Sequence, residues 1–82
     1  MEDKFKTDKP LYDHSISYDT SKLPQELKDY IEKLEEYDKE GNWFDYDIVF
    51  DQFEIILKGY IRHKIITDYD FNILLRKYGW YV

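Results

Sequence analysis

At 82 residues the chain has room for one domain, because so short a chain buries only about 60% of the surface it exposes when unfolded and cannot support two cores. Hydrophobic residues make up 43% and charged residues 37%, with nine Tyr, five Phe and two Trp, a composition that excludes disorder and supplies an aromatic core. The net charge of −6 opposes a polyanionic ligand, and the lack of cysteine excludes a disulfide framework or thiolate metal site, so the cytoplasm is the expected compartment.

Residues 1–22 (MEDKFKTDKPLYDHSISYDTSK) show no sustained period, contain Pro10 and mix Asp, Ser, Thr and Lys, which predicts an irregular or extended tail. Leu11-Tyr12 and Ile16-Ser17-Tyr18 are its candidates for order, lying across the rest of the fold or pairing as a small strand. The first ten residues lack the apolar stretch of a signal peptide, so export is not expected. No wholly apolar run exceeds three residues, as in Ile55-Ile56-Leu57, against the roughly 20 that cross a bilayer, so a soluble protein without a membrane partner is expected.

The remaining residues, 23–82, are predicted to form an all-α, compact three-helix bundle. Leu27, Tyr30, Ile31, Leu34 and Tyr37 recur at the spacing of one helix face and place the first helix at about 24–39. Pro24 suits its first turn, Glu26 and Lys39 complement its dipole, and Gly41 can close it in the left-handed conformation. A second helix at about 44–63 follows from Tyr46, Val49, Phe50, Phe53, Ile56, Leu57, Tyr60 and Ile61, with Asn42 or Asp45 as its cap. Ile48 and Ile55 widen its stripe, as expected of a central helix that touches two neighbours. The third helix, 68–78, is the most fully specified: Thr67 and Asp70 form a capping box, Ile66 can staple to Phe71, and Gly79 with Trp80 suggests a Schellman stop.

Chemistry is sparse. A 12-residue calcium loop begun at Asp38 would need Gly where Phe44 stands and a bidentate Glu where Val49 stands, so that reading fails. His14 and His63 have no second His at helical spacing, and no Ser or Thr is paired with a base, so neither a metal, a cofactor nor an enzymatic activity is expected. Charge is the stronger signal. Residues 23–53 hold ten acids against three bases, net −7, whereas residues 54–82 hold three acids against five bases, net +2.

Two binding surfaces follow. Glu26, Asp29, Glu32, Glu35, Glu36 and Asp38, continued by Glu40, Asp45 and Asp47 and bordered by Trp43, could receive a basic protein surface. Lys58, Arg62, Lys64, Arg76 and Lys77 could instead contact nucleic acid if the second and third helices bring them together. Against a helix-turn-helix reader, the third helix leads with Asp68 and Asp70, which would repel phosphate. Off-stripe aromatics, among them Tyr12, Tyr18, Trp43, Tyr69 and Tyr81, also raise a homodimer.

Leu23-Pro24-Gln25-Glu26-Leu27, Glu40-Gly41-Asn42-Trp43-Phe44-Asp45 and Lys77-Tyr78-Gly79-Trp80 resemble segments of short accessory proteins carried by phages and mobile elements of low-GC Gram-positive bacteria. That resemblance spans residues 23–80 and implies an accessory or counter-defence role, with no catalytic motif. The expected function is therefore a small acidic, non-enzymatic interaction protein, possessing the character of an inhibitor. A nucleic-acid-associated regulator and an immunity or antitoxin-like component are the alternatives.

Overall fold

The computed structural model describes residues 7–79, which fold as three helices: α1 (Gln25–Glu40), α2 (Trp43–Arg62) and α3 (Asp68–Tyr78). No strand occurs among these residues, so the all-α bundle expected from periodicity is the fold.

Each boundary has a local cause. Pro24 is the N-cap of α1, one position before the first turn, and its carbonyl accepts from the N–H groups of Leu27 and Lys28 at 3.0 and 3.1 Å. Gly41 closes α1 at φ 69°, where a side chain is disfavoured, and the Thr7 N–H donates to its carbonyl at 2.7 Å. A Cβ at Gly41 would collide with the Thr7 backbone, so this glycine serves both the turn and the close approach of the N-terminal segment. Asn42 caps α2 by accepting from the Asp45 N–H, and its own amide donates to the Asp45 carboxylate at 2.8 Å. At the other end of α2, Lys64 takes the left-handed conformation at φ 60°, a role that no glycine fills.

The capping box of α3 forms as expected: Thr67 Oγ1 accepts from the Asp70 N–H, and Asp70 accepts from the Thr67 N–H, both at 3.1 Å. Ile66 is buried and Phe71 packs against the same core, as a staple requires. The Schellman stop is corrected. Gly79 has φ −94° rather than a left-handed value, and its small size matters because a Cβ there would meet the Phe50 ring at 2.8 Å. Trp80 and Tyr81 lie outside the described residues.

Leu27, Ile31 and Leu34 of α1, Tyr46, Phe50, Phe53 and Leu57 of α2, and Leu74 and Tyr78 of α3 converge in one core. Phe53 sits at its centre, with the ring of Tyr30 at 6.1 Å from one side and that of Tyr78 at 6.1 Å from the other. The buried Tyr46 hydroxyl donates to the Tyr78 carbonyl at 2.6 Å, and the Tyr78 hydroxyl donates to Glu35 at 3.0 Å, tying all three helices. Ile48 and Ile55 do not join this core. They are 45% and 67% exposed, because α1 and α3 both pack on the side of α2 that carries Tyr46, Phe50, Phe53 and Leu57.

The N-terminal segment is irregular, as expected, yet it is built into the fold as a strap lying across the bundle. Leu11 is fully buried, and Tyr12 and Tyr18 pack against the core. Its backbone is held at both ends of the bundle's chain order: the Leu11 N–H donates to Asp38 at 2.7 Å and the Asp13 N–H to the Lys77 carbonyl at 2.8 Å. The Tyr18 hydroxyl donates to Asp70 at 2.8 Å, and the Lys77 ammonium donates to the Ile16 carbonyl.

Candidate protein-interaction surface

An α-helix turns 100° per residue, so Glu26, Asp29, Glu32, Glu36 and Glu40 fall on one face of α1, opposite Leu27, Ile31 and Leu34. All five carboxylates are exposed, with Lys33 among them. Glu26 also accepts from the Tyr60 hydroxyl at 2.8 Å, a bond that raises that phenol's pKa, and Asp29 accepts from the Gln25 amide at 2.9 Å. Both side chains remain at the surface with oxygen atoms free for a second donor.

Four other members of the acidic set are structural or set apart. Asp38 is turned inward to hold the strap, accepting from Leu11 and pairing with His14 Nε2 at 3.0 Å. Glu35 is half-buried beneath the Tyr78 hydroxyl, and Asp45 is engaged with the Asn42 cap. Asp47 is half-buried near the start of α2. Trp43 packs against the core with the Phe44 ring edge-on at 6.0 Å, so it borders the surface rather than standing out from it. The acidic surface is therefore narrower than the sequence suggests, and it belongs to the outer face of α1.

The basic set does not converge. Lys77 is only 9% exposed, lies 5.2 Å from the Tyr12 ring centre and 5.6 Å from that of Tyr78, and is bonded to the strap. Lys58, Arg62 and Lys64 stand at the C-terminal end of α2, whereas α3 runs back so that Tyr78 meets Tyr46. Arg76 and Lys77 are thus separated from Lys58 by about 18 Å of α2, twelve residues at 1.5 Å each. Among the described residues, no group of three or more His, Asp or Glu side chains is placed to hold a metal ion, and no helix is long and apolar enough to cross a membrane.

Periodicity marks Tyr69 as off the core stripes, but it does not mark the other exposed apolar side chains as surface. Phe44, Ile48, Ile55, Ile65 and Tyr69 are all exposed. Beside Ile55 an apolar groove of about 260 Å³ is lined by Ile56, Gly59, Tyr60 and Ile65, with Glu26 and His63 at its rim. The sequence did carry a signal for this: apolar residues occur around more of the circumference of α2 than two neighbouring helices can cover. Comparison of the chain with family models, curated proteins and solved structures finds no match.

Proposed function

We propose that this chain is a non-enzymatic interaction protein, an inhibitor or accessory factor, that docks the acidic outer face of α1 on a basic protein surface. The observation that carries this reading is the row of Glu26, Asp29, Glu32, Glu36 and Glu40, exposed on one helix face and placed in the segment of net −7. Such a field steers a basic partner and sets its orientation, and like-charge repulsion rejects acidic competitors. The face is presented by a helix whose opposite side is locked into the core, so binding needs no rearrangement of the bundle.

Affinity capture at low salt, followed by direct titration of the recovered protein, tests the reading. The expected partner is basic, and its affinity falls as salt rises. Reversing two central charges, Glu32→Lys with Glu36→Lys, should weaken binding about tenfold or more while the fold is retained, because both positions are exposed. A partner that binds the reversed variant as well as the parent, or a chain that shifts duplex DNA instead of recovering a protein, would sink the proposal.

A further inference from the structure

We propose that the outer face of α2 is a self-association surface, on which a second copy of this chain packs antiparallel about a two-fold axis. Phe44, Ile48, Ile55 and Gly59 recur on the side of α2 opposite Tyr46, Phe50, Phe53 and Leu57. The three side chains are 43%, 45% and 67% exposed, and nothing lies within 4 Å of where a Cβ on Gly59 would stand. These residues form an apolar stripe along the outward side of the longest helix.

The order of residues along the stripe identifies the occupant. In a two-fold interface, whatever residue i meets, its symmetry mate meets in return. Ile48 and Ile55 are symmetric about the midpoint between Asp51 and Gln52, and so are Phe44 and Gly59. An antiparallel second copy with its axis at that midpoint therefore sets Ile48 against the second copy's Ile55. It also sets Phe44 over the second copy's Gly59, where the missing side chain leaves room at the edge of the groove formed with Ile56, Tyr60 and Ile65.

Charge along the same helix agrees. Its first half carries Asp45, Asp47 and Asp51 with no base, and its second half carries Lys58 and Arg62 against one acid, Glu54, which lies 3.8 Å from Lys58. Antiparallel docking places the acidic half on the basic half twice over, with Asp47 beside the second copy's Lys58, while a parallel arrangement would oppose like charges. A uniformly basic partner would leave Lys58 and Arg62 unmatched, and a uniformly acidic one would be repelled by the three aspartates and Glu54. The complement of this face is the face itself. Of the α1 carboxylates Glu26 reaches the rim of this groove, whereas Glu32 and Glu36 do not line it, so those two residues distinguish the acidic surface from this one.

Sedimentation of the whole chain at low salt, from micromolar to millimolar concentration, tests the proposal. The expected mass rises toward twice the 10.2 kDa of the chain. Ile55→Asp should raise the dissociation constant about tenfold or more without loss of helicity, since Ile55 is not a core residue. Lys58→Asp should weaken association, and Asp47→Lys combined with it should restore the parent's behaviour. A chain that stays at 10.2 kDa throughout, or Ile55→Asp and Lys58→Asp variants that associate as the parent does, overturns it. The Glu32→Lys, Glu36→Lys variant should associate normally, so failure of this proposal and failure of the α1 reading are told apart.

Discussion

Leu11→Ala is expected to destabilise the protein by about 3 kcal/mol, as large a loss as a Leu in the middle of a helix would give. Leu11 has no regular secondary structure around it, yet it is fully buried in the same cluster as Leu27, Leu34 and Phe53. Its truncation leaves a cavity in the core and weakens the strap's hold, which rests beside it on the Leu11 N–H bond to Asp38. Small domains are stable by only about 5–15 kcal/mol, so the loss is a large share of the whole. Urea unfolding should show a lower midpoint at an unchanged slope. His14→Ala is the control: His14 is half exposed, so losing its contact with Asp38 and its stacking on the Tyr12 ring should cost less than losing the Leu11 side chain, about 1 kcal/mol. A Leu11→Ala variant as stable as the parent would mean that the strap is not part of the core.

Alkali is expected to unfold the bundle cooperatively above about pH 10, the ordinary ionisation range of tyrosine. Burial pushes the phenols of Tyr46 and Tyr78 upward, and the Glu35 carboxylate adds to the shift of Tyr78. Burial also raises Tyr18, whose hydroxyl is further held by Asp70, and Tyr12. Above pH 10 the unfolded chain has released these protons and the folded one has kept them. Stability is therefore fully present below the unfolded pKa and is lost as pH rises, at up to about 1.4 kcal/mol per pH unit for each of Tyr46 and Tyr78. Melting curves from pH 8 upward, read with phenolate absorbance, should show these tyrosines ionising together with loss of helicity. Ionisation of every tyrosine at an ordinary pKa with the helices intact would contradict the packing described.

What could be read from the sequence depended on how far apart the interacting residues lie. The limits of α3 were legible because Thr67 and Asp70 signal them within four residues, and Asn42 and Gly41 likewise mark the junction of α1 and α2. The burial of Leu11 was not legible. Its backbone partner Asp38 is 27 residues away, beyond any periodic pattern. The same distance effect misplaced Lys77, which reads as one of two adjacent bases on a helix end until the strap covers it. Composition located the acidic segment, and helical spacing sets Asp38, four residues after Leu34, and Glu35, four after Ile31, toward the core side of α1, but their partners Leu11 and Tyr78 are too distant in sequence to be read. Ile48 and Ile55 were legible as apolar, while their exposure depends on where the neighbouring helices pack.

The strap also bears on how fast the protein reaches and leaves its native state. Contacts within and between successive helices close short loops, whereas the Tyr18 bond to Asp70 and the Lys77 bond to Ile16 span 52 and 61 residues. Closing such loops is favoured only after the helices have supplied a surface to dock on. The bundle should form first and the N-terminal segment should settle last, making the strap a latch on unfolding more than a guide to folding. In a chevron experiment Leu11→Ala should steepen the loss mainly by speeding the unfolding limb, with a folding rate close to the parent's.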